Sequence, residues 1–394
     1  TFFQILAPSA YLEDPNQTGL RPKSQTSDGF SFEKWKASGA EFLIRGGFSL
    51  NAKELILEIY AYSIPNQKLI LGKKYSGPSS SARKLVHSFS NDLLQELTGK
   101  QGMFLSRIVV SSDRAGGSHR EIFVMDWDGA NPEQITRHQS ISFSPAWSPD
   151  GKSIVYTSYA LRAKTKTRNP DLFVYELSSR KRWLISYRAG MNSGAHFLPD
   201  SKSLVATLSN EGSPDLFQLD LDGRILAQLT KGPLGSLNVE PAVSPDGKRL
   251  AFASDRSGKP MIYLSELQAG GTARRLTFAG KYNATPAWSP DGKSLAFAGW
   301  LDDHFDIFTI GVDGKDLRKI TEAQTPRGRW AHHEDPVFSP DGRLLMYTSN
   351  RSGKRQIYVS DLEGRQEWPI TKDSFNYYRP RWSQNLESSS KSSP

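Results

Sequence analysis

Cysteine is absent from the 394 residues, so disulfides, thiolate metal sites and a cysteine nucleophile are excluded. That absence fits an oxidising compartment as well as a reducing one. No apolar run reaches the length a membrane-crossing helix needs. The opening TFFQILAPSA has neither the basic flank nor the sustained apolar core of a secretory leader. The first residue is not methionine, so we expect either that a leader has been removed or that the sequence starts inside a longer chain. Gly-x-Ser-x-Gly and His-Glu-x-x-His are both missing, which removes the nucleophile elbow and the zinc-protease helix. A dense basic stripe is missing too. Fifty Lys and Arg face 41 Asp and Glu, and the net charge of +9 is spread along the chain. The most basic run, RAKTKTR at 162–168, reads as a solvated loop, so nucleic acid is not an expected partner.

What is present is repetition. PAWSPDGKS at 145–153 returns as PAVSPDGKR at 241–249, PAWSPDGKS at 286–294 and PVFSPDGRL at 336–344. Aligned on the Pro-Asp pair, copies stand at Pro149, Pro199, Pro245, Pro290 and Pro340, in steps of 50, 46, 45 and 50 residues; a degenerate copy, PRWSQ, opens at Pro380. A period in this range marks a solenoid, a propeller or an array. From Pro241 one unit reads as four strands: PAVS, RLAFAS, MIYLSEL and RRLT, joined by PDG, DRSGKP and QAGGTA. Proline presets the turn, aspartate bonds nearby amides and glycine accepts a positive φ. A helical repeat is excluded.

The second and third strands are apolar or small on both faces, so each sheet must be covered on both sides. Blades stacked around an axis achieve this, which predicts a mainly β, six-bladed β-propeller over 107–383. Trp147, Phe197, Val243, Trp288, Phe338 and Trp382 recur at one position and are expected to fill the gaps between blades. Proline just before that position donates no ladder hydrogen bond, so this strand is placed innermost, on the channel. The first unit begins late, with RIVVSS at 107, REIFVMD at 120 and EQIT at 133, whereas PRWS at 380 follows a complete set. The last strand therefore completes the first blade and leaves no open edge. The serine-rich tail at 387–394 is expected to be disordered.

Residues 1–100 lack the repeat. Strands are predicted at 40–49, 53–63 and 68–76, a short helix at 30–37, and a long helix with the apolar stripe Leu85, Val86, Phe89, Leu93, Leu94 and Leu97, ended by Gly99. This is a small α/β domain, expected to be incomplete at its amino end.

A partner is expected on the loops that lead from each fourth strand into the next innermost strand, because these converge on one mouth. They carry Met191, Tyr282, Trp330, Tyr377 and Tyr378, side chains typical of binding hot spots, together with Asn192 and Thr285. His332, His333, Glu334 and Asp335 are adjacent in sequence. On extended backbone neighbours point to opposite sides, so we assign them to a polar rim, with Glu240, and expect no metal or cofactor, although a weakly held cation among the carboxylates stays open.

A small α/β domain ending in LLQELTGKQGMFLSRIVV, followed by six PAWSPDGKSIVYTS…IYVSDLEG…PIT units and a closing PRWS, resembles the TolB family, periplasmic propellers of the Tol-Pal system of Gram-negative bacteria. The resemblance covers nearly the whole chain. It implies a TolB/WD40-like propeller that is not an enzyme and acts as a monomeric scaffold in the periplasm. It further implies binding of the lipoprotein Pal, a part in outer-membrane integrity, cell division and bacteriocin import, and a TolA-like partner engaged by an amino-terminal segment missing here. The Pal contact would fall on positions matching Met191, Gly194, Val239 and Glu240. Arg381 and Gln384 depart from the family, which tends to have alanine and proline there. The alternatives are a propeller hydrolase or lyase with a channel active site, and a cell-wall carbohydrate binder.

Overall fold

The structure, a computed structural model, describes residues 4–209, 212–233 and 235–384; the tail at 387–394 lies outside them. The chain forms two compact units that divide between Leu105 and Ser106.

The first unit is built on an antiparallel meander of β1 (Phe42–Asn51), β2 (Glu54–Ser63) and β3 (Lys68–Pro78). The short helix α1 (Phe32–Ala37) brings Trp35 beside Phe30, Leu43, Tyr60 and Tyr62 on one face of the sheet. The long helix α2 (Ala82–Thr98) lays Leu85, Phe89 and Leu93 on Leu55, Ile59, Leu71 and Tyr75 on the other. Gly99 ends α2 in the left-handed region at φ 70°, donating its N–H to Gln95 O at 2.8 Å. Val86 departs from the expected stripe: it is 46% exposed. The helix rests on β3 and β2, so its buried face is narrower than the apolar pattern.

The second unit contains six four-stranded antiparallel sheets, with the PAWS-type strand at one edge of each. The edge strands Tyr377–Trp382, Ser142–Trp147, Asn192–Phe197, Asn238–Val243, Tyr282–Trp288 and His333–Phe338 touch one another in that cyclic order. The ring is therefore closed, with these strands innermost. Closure is made by pairing Tyr377–Trp382 with Arg107–Ser112, Trp382 opposite Ile108 and Tyr377 opposite Ser112.

The conserved spelling of the turn within this chain has a local cause. Asp150 Oδ1 accepts from Ser148 Oγ at 2.6 Å and from Lys152 N at 3.1 Å, while Ser153 N donates to Ser148 Oγ at 2.9 Å. The pairs Ser244 and Asp246, Ser289 and Asp291, and Ser339 and Asp341 repeat the first bond.

The recurring large residues fill the gaps between blades. Trp147 sits among Val109 and Val124 of one blade and Ile154 and Tyr156 of the next. Trp288 does the same between Ala251 and Leu295, and its Nε1 donates to Ala242 O at 2.8 Å. A second device recurs farther out: Thr136, Thr230, Thr277, Thr321 and Thr371 accept through Oγ1 from the third strand's backbone N–H at 2.9–3.0 Å.

Two stability predictions follow from this packing. Trp288→Ala opens a cavity between two blades and removes the indole bond, so it should cost about 3–5 kcal/mol in chemical denaturation. The second concerns pH. Burial holds His138 and His196 at about 4 and His333 at about 2, against 6.5 unfolded. Below about 6.5 the unfolded chain thus binds more protons, and stability is lost as pH falls towards 4, by up to about 1.4 kcal/mol per unit for each histidine. The melting temperature should drop between pH 7 and 5, and His333→Asn should reduce that slope.

Candidate functional site

Every innermost strand carries one irregularity at one place. The register shifts between Phe143 and Ala146, Ser193 and His196, Val239 and Ala242, Ala284 and Ala287, Glu334 and Val337, and Tyr378 and Arg381. Inside each bulge one residue has positive φ: Ser144 48°, Gly194 59°, Glu240 58°, Thr285 50°, Asp335 59° and Arg379 49°. Left-handed backbone costs a residue with a Cβ roughly 1–2 kcal/mol, and a bulge re-aims its side chain. Here the six residues form a ring around the channel. Only Gly194 is free of the steric cost.

The ring separates two cavities. Residues that precede it line the larger, of about 1000 Å³, with the aromatics Phe143, Tyr159, Tyr282, Trp300, Phe305 and Tyr378. Residues that follow it line the smaller, of about 490 Å³, next to the SPDG turns. Glu240, Thr285 and Arg379 border both.

Charge in the ring is matched internally. Arg379 pairs with Glu240 through Nη2, and its Nε lies 3.4 Å from Asp335 Oδ1. Glu240 Oε2 also accepts from Thr285 N at 2.8 Å, and Asp335 Oδ2 from Arg379 N at 3.2 Å. Burial pushes the Asp335 carboxyl up, against the pull of Arg379. Burial alone would lower the Arg379 guanidinium, but Glu240 and Asp335 outweigh it and hold it above the ordinary arginine value. A protein cation thus stands between the carboxylates that the sequence left open to a loosely held ion. Among the described residues no group of three or more His, Asp or Glu is placed to share a metal ion.

Above the ring Glu334 pairs with Arg355. Tyr378 lies between two guanidinium groups, Arg120 at 4.7 Å and Arg355 at 5.4 Å from its ring centre. Phe305 meets Trp300 edge-on at 4.8 Å and Tyr282 at 5.7 Å.

Of the residues expected at a docking surface, Glu240, Tyr282, Thr285, Glu334, Asp335 and Tyr378 line the large cavity. Gly194 lines the small one. Met191 and Trp330 are exposed on loops outside both linings, and Trp330 stacks on His304 at 5.0 Å. His332 lies beside Trp300, 5.7 Å between ring centres, and Val239 is half-buried against the core. Three expectations need correction. Asn192, His333 and Tyr377 are 0%, 0% and 1% exposed, because each stands two residues before its ring member, where the side chain enters the blade. Asn192 Nδ2 donates to Arg188 O at 2.8 Å, His333 packs edge-on to Tyr347, and Tyr377 donates to Asp373 at 2.6 Å. Their side chains are spent inside the blades and shape the loops.

Arg120, Phe143, Tyr159, Trp300, Phe305, Arg355 and Arg379 were not expected. Arg379 had a signal: it precedes the repeat proline, as do Ser144, Glu240, Thr285 and Asp335. Phe143 stands at the start of an innermost strand, one residue before Ser144, and the rest come from the second and third strands or their ends, away from the loops that lead into the innermost strands. Arg379→Ala should strand two carboxylates and cost about 2–3 kcal/mol in urea unfolding, below the loss for a fully buried pair because the site is partly solvated; adding Glu240→Gln should recover part of it.

Comparison with known proteins bears on the whole chain. The model of the TolB beta propeller domain matches residues 94–386. The TolB homolog of Chlorobium luteolum is 31% identical over 384 residues, 97% of this chain and 82% of that protein. The Tol-Pal system protein TolB of Desulfosudis oleivorans is 34% identical over 230 residues, 58% of this chain and 49% of the relative, so the match spans about half of that protein. Among solved structures, TolB from Acinetobacter baumannii superposes with a TM-score of 0.79 at 25% identity, over 91% of this chain and 86% of that one. With its six-bladed ring, its closing strand and these matches, the chain belongs to the TolB family.

Proposed function

We propose that the chain is a non-catalytic, protein-binding scaffold of the Tol-Pal system in the periplasm. Its large cavity takes the globular domain of a Pal-like lipoprotein, and so supports outer-membrane integrity during division. The observation that carries this reading is the lining of the cavity, a wall of aromatic side chains around carboxylates that each face an arginine. Tyr282, Trp300, Phe305 and Tyr378 offer large contact area and few rotamers to freeze. Their backbone belongs to strands or strand ends, so the surface is largely formed before a partner arrives.

The paired charges favour recognition over turnover. A general acid or base needs a group free to take and release a proton near the working pH. Glu240, Glu334 and Asp335 each face an arginine. Met191 and Trp330, exposed beyond the cavity, are suited to contact the rim of the same partner.

Calorimetric titration with the soluble domain of the Pal protein from the same organism tests this. Binding at micromolar protein or tighter is expected, weakened at least about tenfold by Tyr282→Ala or Trp330→Ala. No heat, or unchanged affinity in both variants, rejects the proposal. Turnover in a glycoside or peptide screen would favour a channel enzyme, and retention on cell-wall sacculi without Pal a carbohydrate binder.

A further inference from the structure

We propose that the smaller cavity is a binding site for a small organic monocarboxylate, its head group held by Arg381 and its apolar body by the channel wall. The site is separate from the docking mouth, and the inference does not depend on the Pal reading.

The repeat supplies the first observation. Two residues beyond each ring member, the innermost strands present a second tier to the channel: Ala146, His196, Ala242, Ala287, Val337 and Arg381, all of which line the cavity. Their register is equivalent, each opposite a residue of its own second strand: Val155, Val205, Ala251, Ala296, Met346 and Val109. Four of the six are small and aliphatic. Folding thus asks only for a short apolar side chain here, and Arg381 and His196 depart from that requirement.

The second observation is that the donors are unspent. Among the described residues Arg381 makes one side-chain hydrogen bond, from Nη1 to Pro380 O at 2.9 Å. Among the described residues it forms no ion pair, in contrast to Arg379, which faces both nearby carboxylates. Burial lowers the Arg381 guanidinium, and Asp335 and Glu240 act on it only from a distance. A guanidinium in a confined space with most of its donors free is suited to a bidentate carboxylate. His196 uses Nδ1 on Phe197 O at 2.9 Å, which leaves Nε2. Trp382 also lines the cavity, and its indole N–H is buried with no partner among the described residues. Trp147, at the equivalent position of the next blade, donates to Arg381 O at 3.1 Å.

Size and charge select the ligand class. About 490 Å³ falls in the range of small-molecule sites, roughly 300–1,000 Å³. One unpaired guanidinium balances one negative charge. A phosphate monoester would bring its second charge close to Glu240, which borders the same cavity. The aliphatic tier and the ring of prolines suit an apolar body.

The test is calorimetric titration of the whole chain with phenylacetate, phenylacetamide and phenyl phosphate. Phenylacetate should bind, with the neutral amide at least about tenfold weaker and the phosphate weaker than the carboxylate. Arg381→Ala should fold, since Ala146, Ala242 and Ala287 occupy the same tier, and should weaken phenylacetate at least about tenfold. No binding of phenylacetate up to about 10 mM, equal binding of the amide, tighter binding of the phosphate, or an undiminished affinity in R381A overturns the proposal. The comparison of acid with amide needs no variant, so it holds even if R381A proves unstable.

Discussion

A four-stranded sheet that is apolar on both faces cannot stand alone in water, and the whole second unit follows from that. Strands such as Arg249–Ser254 and Met261–Glu266 are buried almost end to end. The cover available to each face is another copy of the same sheet. Six copies meet that demand only when the row closes, and the chain closes it by carrying the first blade's innermost strand at its far end. Trp147 and Trp288 mark how the apolar area is gained: each belongs to one blade and is buried by two. Hydrophobic burial therefore fixes the ring, and the turns and threonine bonds only trim the strands to length.

Closure leaves an axis that no core fills. Side chains there are chosen by neither burial nor exposure, and the backbone itself departs from regular strand geometry to supply them. The bulge at each innermost strand holds a left-handed residue, repeated six times although only Gly194 adopts that conformation freely. Strain repeated with this regularity is tolerated because the surrounding ladders over-determine it. Its effect is to turn Glu240, Asp335 and Arg379 towards one another, dividing the channel into a broad aromatic mouth and a smaller chamber whose mostly aliphatic tier carries Arg381. The two cavities differ in chemistry because they lie on opposite sides of that ring.

How far a sequence is legible depends on whether the signal is periodic. The blade count, the closing strand and the gap-filling position could be read because the repeat prints them six times and because apolar alternation maps directly onto burial. The small α/β domain was legible for the same reason, apart from Val86, whose exposure depends on how far α2 reaches across the sheet. The mouth was legible as a set of loops and only partly as residues. Asn192, His333 and Tyr377 look like surface groups on polar loops, yet the pleat turns them into the blade.

The order of the strands, their number and their closure were thus set by the one-dimensional pattern of this chain, since apolar periodicity and turn chemistry are local properties. Which side chains face the axis was decided only in three dimensions. A one-residue bulge inverts the side of every residue around it. The carboxylates that pair with Arg379 come from blades more than forty and more than a hundred residues away in the chain, brought within reach solely because the ring closes.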